Sequence, residues 1–296
     1  MKKYKKIALK IVIIKMSLLL NFVLTAYAEI LFEGDSIYHH ITIRQNAKER
    51  CMLFGRYLDN RETCINLDEV DFPVLEYTEM MFVGFLIKPE TEKIMLIGLG
   101  GGYIPTVFKI HLPHIRLKVV ELDPMVNRLA EKYFNFKTSL KISLDISDGR
   151  MYLKRTKELF DQIWVDAFNS DYIPTHMTTK EFLLLAKSRL AENGIVIENV
   201  HSNNKLFDAQ VLTFLAVFKH VLVFDGKRSA NSIIVASDNS THEEIIKDIK
   251  EKNILKKIGK IDLLKQAHKY KPTPKIRKTQ ILTDDYSPAN LWLHHK

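Results

Sequence analysis

The spacing of hydrophobic and polar residues changes near Tyr77. Upstream of that residue, three short segments read as strands: the first alternates apolar and polar side chains with the period of two expected of a strand, the second is short and apolar, and the third follows a polar turn. These segments are IYHHITIRQ (37–45), RCMLF (50–54) and ETCINL (62–67). We therefore predict a small N-terminal β-sheet domain over residues 29–75.

Downstream of Tyr77, apolar runs of strand length mostly alternate with segments in which apolar residues recur at helical spacing. The predicted order is strand 93–98, helix 104–110, strand 116–121, helix 123–134, strands 140–144 and 161–167, helix 178–190, strand 194–200, helix 205–218, and strands 220–224 and 231–237. Alternating strands and helices predict a parallel sheet covered by helices on both faces. The last two strands, joined by the short segment DGKRSA, predict an antiparallel pair. The expected fold of residues 76–240 is α/β, a Rossmann-like seven-stranded sheet of the S-adenosylmethionine-dependent methyltransferase type.

Residues 241–296 form a lysine-rich segment that ends in ILTDDYSPANLW before the final residues. Between Lys247 and Lys278, acidic residues are interleaved with the lysines, which is typical of a solvated helix face. We predict a helical, lysine-rich C-terminal extension over 241–296.

Residues 1–28 have the layout of a secretory signal, with the basic start MKKYKK, a mostly apolar stretch and small residues at Ala26 and Ala28. This predicts an exported protein, periplasmic or membrane-anchored. Lys10 and Lys15 interrupt the apolar stretch, so an uncleaved anchor and an ordinary basic helix of a cytoplasmic protein stay open as alternatives. The segment holds six lysines and no acidic residue, so its removal lowers the net charge from +9 to about +3. Little basic excess is then left for a nucleic-acid partner, and we expect none.

The two cysteines, Cys51 and Cys64, lie symmetrically about a predicted hairpin turn near Tyr57. In an oxidising compartment they could pair as a disulfide, and two unpaired buried thiols are the alternative. Two cysteines cannot form a tetrahedral zinc site, and we expect no metal.

A glycine-rich turn follows the strand at 93–98, in the stretch IMLIGLGGG. Glycine adopts positive φ without a steric penalty and lets the main chain approach a ligand closely. Because ligands of open parallel sheets bind beyond the carboxyl ends of the strands, Gly98, Gly100, Gly101 and Gly102 should border a nucleoside pocket. The spacing G-x-G-G-G differs from the G-x-G-x-x-G of dinucleotide sites.

Acidic residues follow the neighbouring predicted strands. Glu121 ends the second strand, where a carboxylate can accept hydrogen bonds from ribose hydroxyls, and Asp148 with Gly149 follows the third, facing the adenine end. Asp166 ends the fourth strand, and Asp171 lies on the next loop. These two carboxylates could attract a cationic amine, and one could take a proton as a nitrogen attacks carbon beside a sulfonium. Each acid alone could equally serve as a helix cap or fix a loop.

Together these residues resemble the spermidine synthase family, the polyamine aminopropyltransferases, and more closely the bacterial spermidine synthase-like proteins. The matching segments are SIYHHITI, RCMLFG, EYTEMM, IMLIGLGGG, VVELDP, DGRMYL, WVDAF, IPTHMTTKEF and LTDDYSP. Leu96 stands two residues before the first glycine, where ordinary methyltransferases usually have an acid.

The resemblance implies transfer of an aminopropyl group from decarboxylated S-adenosylmethionine to a polyamine acceptor. It further implies that the glycine turn, Glu121 and Asp148 hold the nucleoside and that Asp166 deprotonates the attacking amine. The substrate side would be lined by Tyr38, His39, Tyr77, Glu79 and Asp171. Relatives in this family are often homodimers.

The chain departs from the family mainly at positions that contact the aminopropyl group or the amine. The family has Asp where this chain has Gly101, Gln where it has His39, and His where it has Thr78. The family's Asp-Pro-x-Gly-Pro segment is replaced by IPTHMTT. Two alternatives therefore stay open: a methyltransferase that uses intact S-adenosylmethionine on an unknown acceptor, and a non-catalytic exported homologue that binds a polyamine or nucleoside.

Overall fold

A computed structural model of the chain describes residues 28–55, 61–167, 173–202, 204–239, 256–271 and 276–293. In these ranges a four-stranded antiparallel sheet precedes an eight-stranded mixed sheet, and the larger sheet is covered by helices. The predicted α/β fold class is confirmed. Most of the predicted signal or anchor segment and Asp171 lie outside the described residues.

The small sheet forms at the N-terminus, as the alternating pattern predicts. Its strands pair in the order β1-β2-β3-β4. Their bounds are β1 (Glu29–Asp35), β2 (His40–Gln45), β3 (Glu49–Phe54) and β4 (Arg61–Asn66). Cys51 lies opposite Cys64 in the β3–β4 register, and the two form a disulfide. The disulfide therefore joins β4 to β3 next to Glu62 and Thr63, two residues of β4 that line the cavity described below.

The large sheet contains the seven predicted strands and one short addition. Its strands are β5 (Lys93–Ile97), β6 (Arg116–Glu121), β7 (Ile142–Ile146), β8 (Phe160–Val165), β9 (Leu190–His201), β10 (His220–Asp225), β11 (Asn231–Ser237) and β14 (Tyr270–Lys271). They lie in the order β14-β10-β11-β9-β8-β5-β6-β7, with parallel pairing from β9 to β7 and antiparallel pairing of β11 with β9 and β10. Strand β5 lies between β6 and β8, so the strand order reverses there and leaves a crevice at its carboxyl end.

Helices connect and cover the strands. They are α1 (Glu76–Met80), α2 (Gly84–Ile87), α3 (Tyr103–His111), α4 (Pro124–Tyr133), α5 (Gly149–Arg155), α6 (Lys180–Lys187), α7 (Lys205–Leu215), α8 (Leu263–Ala267) and α9 (Ala289–Leu293). Helix α4 shows why these segments are helical. The Asp123 side chain accepts the main-chain N–H of Met125 at 2.8 Å, which caps the helix, and Pro124 is suited to its first turn. Val126 and Leu129, three residues apart, are buried, and each such side chain contributes about 1.5–3 kcal/mol on burial.

One continuous core joins the two sheets. Ile41, Ile43 and Met52 of the small sheet are fully buried in the same cluster as Phe82 and Trp164. The rings of Phe82 and Trp164 meet edge to face with centroids 5.1 Å apart. The small sheet is thereby held against the carboxyl end of β5, where it closes one side of the crevice.

The described part of the C-terminal extension is only partly helical, so the prediction of a helical extension needs correction. Besides α8 and α9 it contains the hairpin β12 (Lys257–Ile258) and β13 (Ile261–Asp262), and β14 adds to the large sheet beside β10. The physical reason is burial, because Ile258 and Ile261 belong to the main core instead of forming a solvated face. In the described ranges, no helix combines the length and hydrophobicity that a membrane crossing needs.

Candidate active site

A cavity of about 270 Å³ opens at the carboxyl ends of the parallel strands. Its walls come from the glycine turn after β5, the ends of β6 and β8, the start of α5, strand β4 and the loop before α6. The cavity lies at the edge of the sheet where the strand-end acids predict a ligand site. Its volume is close to the lower end of the range for small-molecule pockets.

The glycine turn brings main chain directly against the end of β8. Gly98 has φ of 99°, and a side-chain carbon built there would stand 2.0 Å from the main-chain oxygen of Asp166. Only glycine fits such an approach. Gly98 and Gly100 line the cavity, whereas Gly101 and Gly102 do not, and the predicted role of the latter two stays a prediction. They lie outside the lining because the chain turns inward after Gly100.

Gly101 faces the protein interior. A Cβ there would lie 2.7 Å from Thr63 Cγ2 and 2.8 Å from Phe134 Cδ1. The space beside Gly101, the position that carries an aspartate in the resembling family, is therefore filled by Thr63 of β4 and by Phe134, which directly follows α4. No side chain enters at Gly101 unless these neighbours shift.

Glu121 lies in the cavity wall and binds the glycine turn. Its Oε2 accepts the main-chain N–H of Leu99 at 2.9 Å, and its Oε1 accepts that of Asp123 at 2.8 Å. Burial raises the pKa of Glu121, and the two main-chain donors act in the opposite direction. The carboxylate thus positions the turn, and its predicted role toward ribose hydroxyls stays a prediction.

Asp148 caps α5 and, with Gly149, lines the same cavity. One carboxylate oxygen accepts the N–H of Met151 at 2.8 Å, and the other lies 2.8 Å from His176 Nε2. The hydrogen bond with His176 lowers the pKa of Asp148. His176 therefore lies against the acid that the sequence assigns to the adenine end, a contact that sequence analysis missed.

Asp166 lies at the end of β8 beside the glycine turn. Its Oδ1 accepts the side-chain amide of Asn199, on β9, at 2.9 Å. Burial raises the pKa of Asp166 to about 6, against the lowering effect of the hydrogen bond from Asn199. A carboxylate with such a pKa is suited to accept a proton near neutral pH.

Three of the predicted substrate-side residues line the cavity, namely Tyr38, His39 and Tyr77. The His39 ring stacks on Phe54 with centroids 4.4 Å apart, and burial lowers the pKa of His39. A neutral imidazole does not repel a cationic ligand. The Tyr77 hydroxyl donates to the main-chain oxygen of Glu62 at 2.6 Å.

Glu79 does not line the cavity, and its predicted role on the substrate side stays a prediction. Its buried carboxylate accepts a hydrogen bond from Arg228 at 3.0 Å. Tyr77 and Glu79 are two residues apart on α1, and such positions lie on different sides of a helix.

The sequence analysis missed three further features of the site. Glu62 and Thr63 reach the cavity from β4, and Asn199 orients Asp166 from β9. The sequence ETCINL predicts a strand, but it does not say which of its residues meet the parallel sheet.

The described residues contain no group of three or more histidine, cysteine or acidic side chains arranged to hold a metal ion. The ionisable residues that line the cavity are instead four carboxylates, three tyrosines and two histidines, with no lysine or arginine among the described lining residues: Glu62, Glu121, Asp148, Asp166, Tyr38, Tyr77, Tyr103, His39 and His176. The balance of charge favours a cationic ligand.

The motif LTDDYSP anchors the cavity's outer loop. Arg150, at the start of α5, donates to both carboxylate oxygens of Asp284 at 2.7 and 2.6 Å and to the main-chain oxygen of His176 at 2.8 Å. Thr179 also donates to Asp284, at 2.7 Å. The hydrogen bond from Arg150 lowers the pKa of Asp284 to about 2.

Replacing Asp284 by asparagine should lower the free energy of unfolding at pH 7 by about 1–3 kcal/mol, a range reduced because Asp284 is 44% exposed. The loss arises because the mostly buried Arg150 guanidinium loses its anionic partner. Since folding depresses this pKa, the carboxylate stabilises the fold above about pH 4 and the effect disappears as pH falls toward 2. Urea unfolding at several pH values measures it, with the exposed neighbour changed in Asp285→Asn as control. Equal stability of Asp284→Asn and wild type at pH 7 would contradict the prediction.

Comparison with known proteins adds an independent finding. Residues 74–227 match the family model described as the spermine/spermidine synthase domain. The chain is 31% identical over 271 residues to the polyamine aminopropyltransferase of Vibrio vulnificus, across 88% of this chain and 91% of that protein.

Two solved structures resemble the fold. A probable spermidine synthase from Corynebacterium glutamicum has a TM-score of 0.63 at 22% identity, covering 76% of this chain and 89% of that chain. Human Methyltransferase-like protein 13, solved in complex with SAH, has a TM-score of 0.53 at 21% identity, covering 73% of this chain and 99% of that chain. At such identities the likeness concerns the fold alone.

Proposed function

The chain belongs to the spermine/spermidine synthase family, and on this premise we propose that it transfers an aminopropyl group from decarboxylated S-adenosylmethionine to a polyamine acceptor. The observation that carries the proposal is the position of Asp166. Its carboxylate, with a pKa near 6, lies beside the glycine turn in a cavity lined by acids.

The reaction requires little more than position, charge and a base. The acceptor nitrogen attacks the aminopropyl carbon bonded to the sulfonium sulfur and forms the new N–C bond. The C–S bond breaks, its electron pair stays on sulfur, and the donor leaves as neutral methylthioadenosine. Asp166 takes the proton that the attacking nitrogen loses. Asn199 would hold the carboxylate in place through its hydrogen bond to Oδ1.

The charge of the cavity supports the decarboxylated donor over the intact one. Both donors carry a sulfonium, which the lining carboxylates attract. Intact S-adenosylmethionine also carries a carboxylate, and the described lining residues offer no lysine or arginine to receive it. A methyltransferase remains the second candidate, because an SAH-bound methyltransferase shares the fold and because Gly101 lacks the family's acidic side chain.

Mass spectrometry of the protein incubated with each donor and a mixture of polyamines tests the proposal. We expect methylthioadenosine and an aminopropylated polyamine from the decarboxylated donor. S-adenosylhomocysteine formed only from the intact donor would favour the methyltransferase. Binding of a polyamine or nucleoside without any product would instead identify the non-catalytic homologue.

We also propose that the protein is exported. The signal-like residues 1–28 suggest it, and the Cys51–Cys64 disulfide supports an oxidising compartment. The same mass spectrum reports the outcome, since cleavage after Ala28 leaves a chain that starts at Glu29, whereas an anchor keeps the full mass. The homodimer expected from the family resemblance stays a prediction that light scattering can test.

A further inference from the structure

A buried ion pair joins the C-terminal extension to helix α1. Lys269, between α8 and β14, donates from Nζ to Oε1 of Glu76 at 2.7 Å. The exposed fractions of the two side chains are only 3% and 4%. Because charged side chains are almost never fully buried without a partner, this contact determines how the extension and α1 lie against each other.

The main chain of Lys269 is itself fixed on both sides. Its N–H donates to the main-chain oxygen of Gln266 at 3.0 Å, and its carbonyl oxygen accepts the N–H of Asp225, at the end of β10, at 3.0 Å. The next residue, Tyr270, pairs with Phe224 where β14 adds to β10. The large sheet therefore holds the Lys269 ammonium group at a fixed position facing α1.

Glu76 also binds the turn between β10 and β11. Its carboxylate accepts the main-chain N–H groups of Lys227, Arg228 and Ser229. Burial alone would raise the pKa of Glu76, but the hydrogen bonds from Lys269 and from the main chain of this turn lower it to about 2. The carboxylate is therefore charged at neutral pH, and several elements of the large sheet converge on the first residue of α1.

Helix α1 carries this restraint to the cavity. It begins at Glu76, and the following residue, Tyr77, lines the cavity, donates its hydroxyl to the main-chain oxygen of Glu62 at 2.6 Å and lies beside Asp166. The helix has five residues, and Leu75 before it gives no side-chain hydrogen bond as a cap. So short a helix has little stability of its own, and its position depends on tertiary contacts such as those of Glu76.

We infer that Lys269 is a positioning residue for the proposed transfer: its ion pair with Glu76 fixes α1, and α1 in turn holds Tyr77 beside the proposed base. Lys269 itself does not line the cavity, so it acts without touching a ligand. The inference rests on the proposed function and deepens it, because it makes the C-terminal extension part of the machinery that shapes the substrate side.

The test is a double-mutant cycle of Lys269→Met and Tyr77→Phe in the full chain, with decarboxylated S-adenosylmethionine and putrescine as substrates. We expect Lys269→Met to lower kcat/KM about 10- to 100-fold, since a small displacement of a positioning group suffices for such a loss. In the Tyr77→Phe background the same change should cost less than about threefold, because the hydroxyl that Lys269 positions is already absent. Methylthioadenosine affinity of Lys269→Met should stay within about threefold of wild type, which shows that the variant is folded.

Lys260→Met is the matched control in the same extension. Lys260 pairs with Glu69 at 3.4 Å, but the two side chains are 50% and 51% exposed, so kcat/KM should stay near the wild-type value. Glu76→Gln is the second variant, used if Lys269→Met does not fold. Its amide can still accept main-chain N–H groups, and Lys269, whose pKa is lowered by burial, can lose its proton there. Glu76→Gln should reproduce the loss in kcat/KM.

Equal losses from Lys269→Met in the wild-type and Tyr77→Phe backgrounds overturn the inference, because Lys269 then does not act through Tyr77. Unchanged kcat/KM in Lys269→Met or in Glu76→Gln overturns it as well. If the wild type makes no product, calorimetry with putrescine completes the same cycle. A loss of putrescine affinity that depends on Tyr77 then keeps the positioning role while the proposed transfer fails, and a wild type that binds no putrescine overturns both.

Discussion

Replacing Asp166 by asparagine should lower kcat by a factor of about 10²–10⁴ and leave the affinity for methylthioadenosine within about threefold of the wild-type value. The amide keeps the shape of the carboxylate and can still accept the hydrogen bond from Asn199, but it cannot take a proton from the attacking amine. Steady-state kinetics with decarboxylated S-adenosylmethionine and putrescine measure the first quantity, and calorimetry measures the second.

The pH dependence gives this prediction a second readout. In the wild type, kcat/KM should fall as pH decreases through about 6, because protonated Asp166 can no longer act as a base. That acid limb should be missing from Asp166→Asn, whose residual rate comes from positioning alone.

Asp161→Asn is the matched control. Asp161 lies near the start of the same strand, where one carboxylate oxygen accepts the main-chain N–H groups of Glu92 and Lys93 at 2.8 and 2.9 Å. Asparagine can keep an acceptor there, so activity should be close to wild type. Full activity of Asp166→Asn would show that another group accepts the proton.

Replacing Gly98 by alanine should strongly disturb the proposed nucleoside site. The added methyl carbon would stand 2.0 Å from the main-chain oxygen of Asp166, and φ at this residue is 99°. Neither conflict is relieved by moving a flexible side chain, since the opposing atom belongs to the end of β8. We expect the free energy of unfolding to fall by about 2–4 kcal/mol and methylthioadenosine affinity to fall about 100-fold or more.

Urea unfolding with the disulfide kept oxidised measures the first loss, and calorimetry measures the second. Gly34→Ala is the control, because the nearest atom to its new methyl is the end of the Phe32 ring at 3.0 Å and its φ is not in the left-handed region. If Gly98→Ala matches wild type in both measurements, the close approach between the turn and β8 has no role in holding the site.

Much of the fold and part of the site follow from local pattern. The alternation of strands and helices after Tyr77 predicts the parallel sheet, and the glycine turn marks where the crevice of that sheet lies. Glu121, Asp148 and Asp166 converge in one cavity because the carboxyl ends of parallel strands share one edge. This result needs no long-range information beyond the alternation of strands and helices.

Other positions could not be assigned in this way. Glu79 follows Tyr77 in a motif that resembles the family's substrate side, yet its carboxylate pairs with Arg228, 149 residues away in the chain. The extension's Ile258 and Ile261 look like part of a solvated lysine-rich segment but are buried in the core. Such outcomes depend on which surfaces meet in the folded chain.

What the amino-acid order alone determined is the α/β sheet, its glycine turn and the acids at its strand ends, since periodicity and strand-end position are local properties. Tertiary structure decided that Cys51 bonds to Cys64, that Asn199 and Tyr77 lie beside Asp166, and that Glu62 and Thr63 line the cavity. These contacts join separate strands and helices, and their geometry depends on how the small sheet packs against the crevice, which no short stretch of sequence encodes.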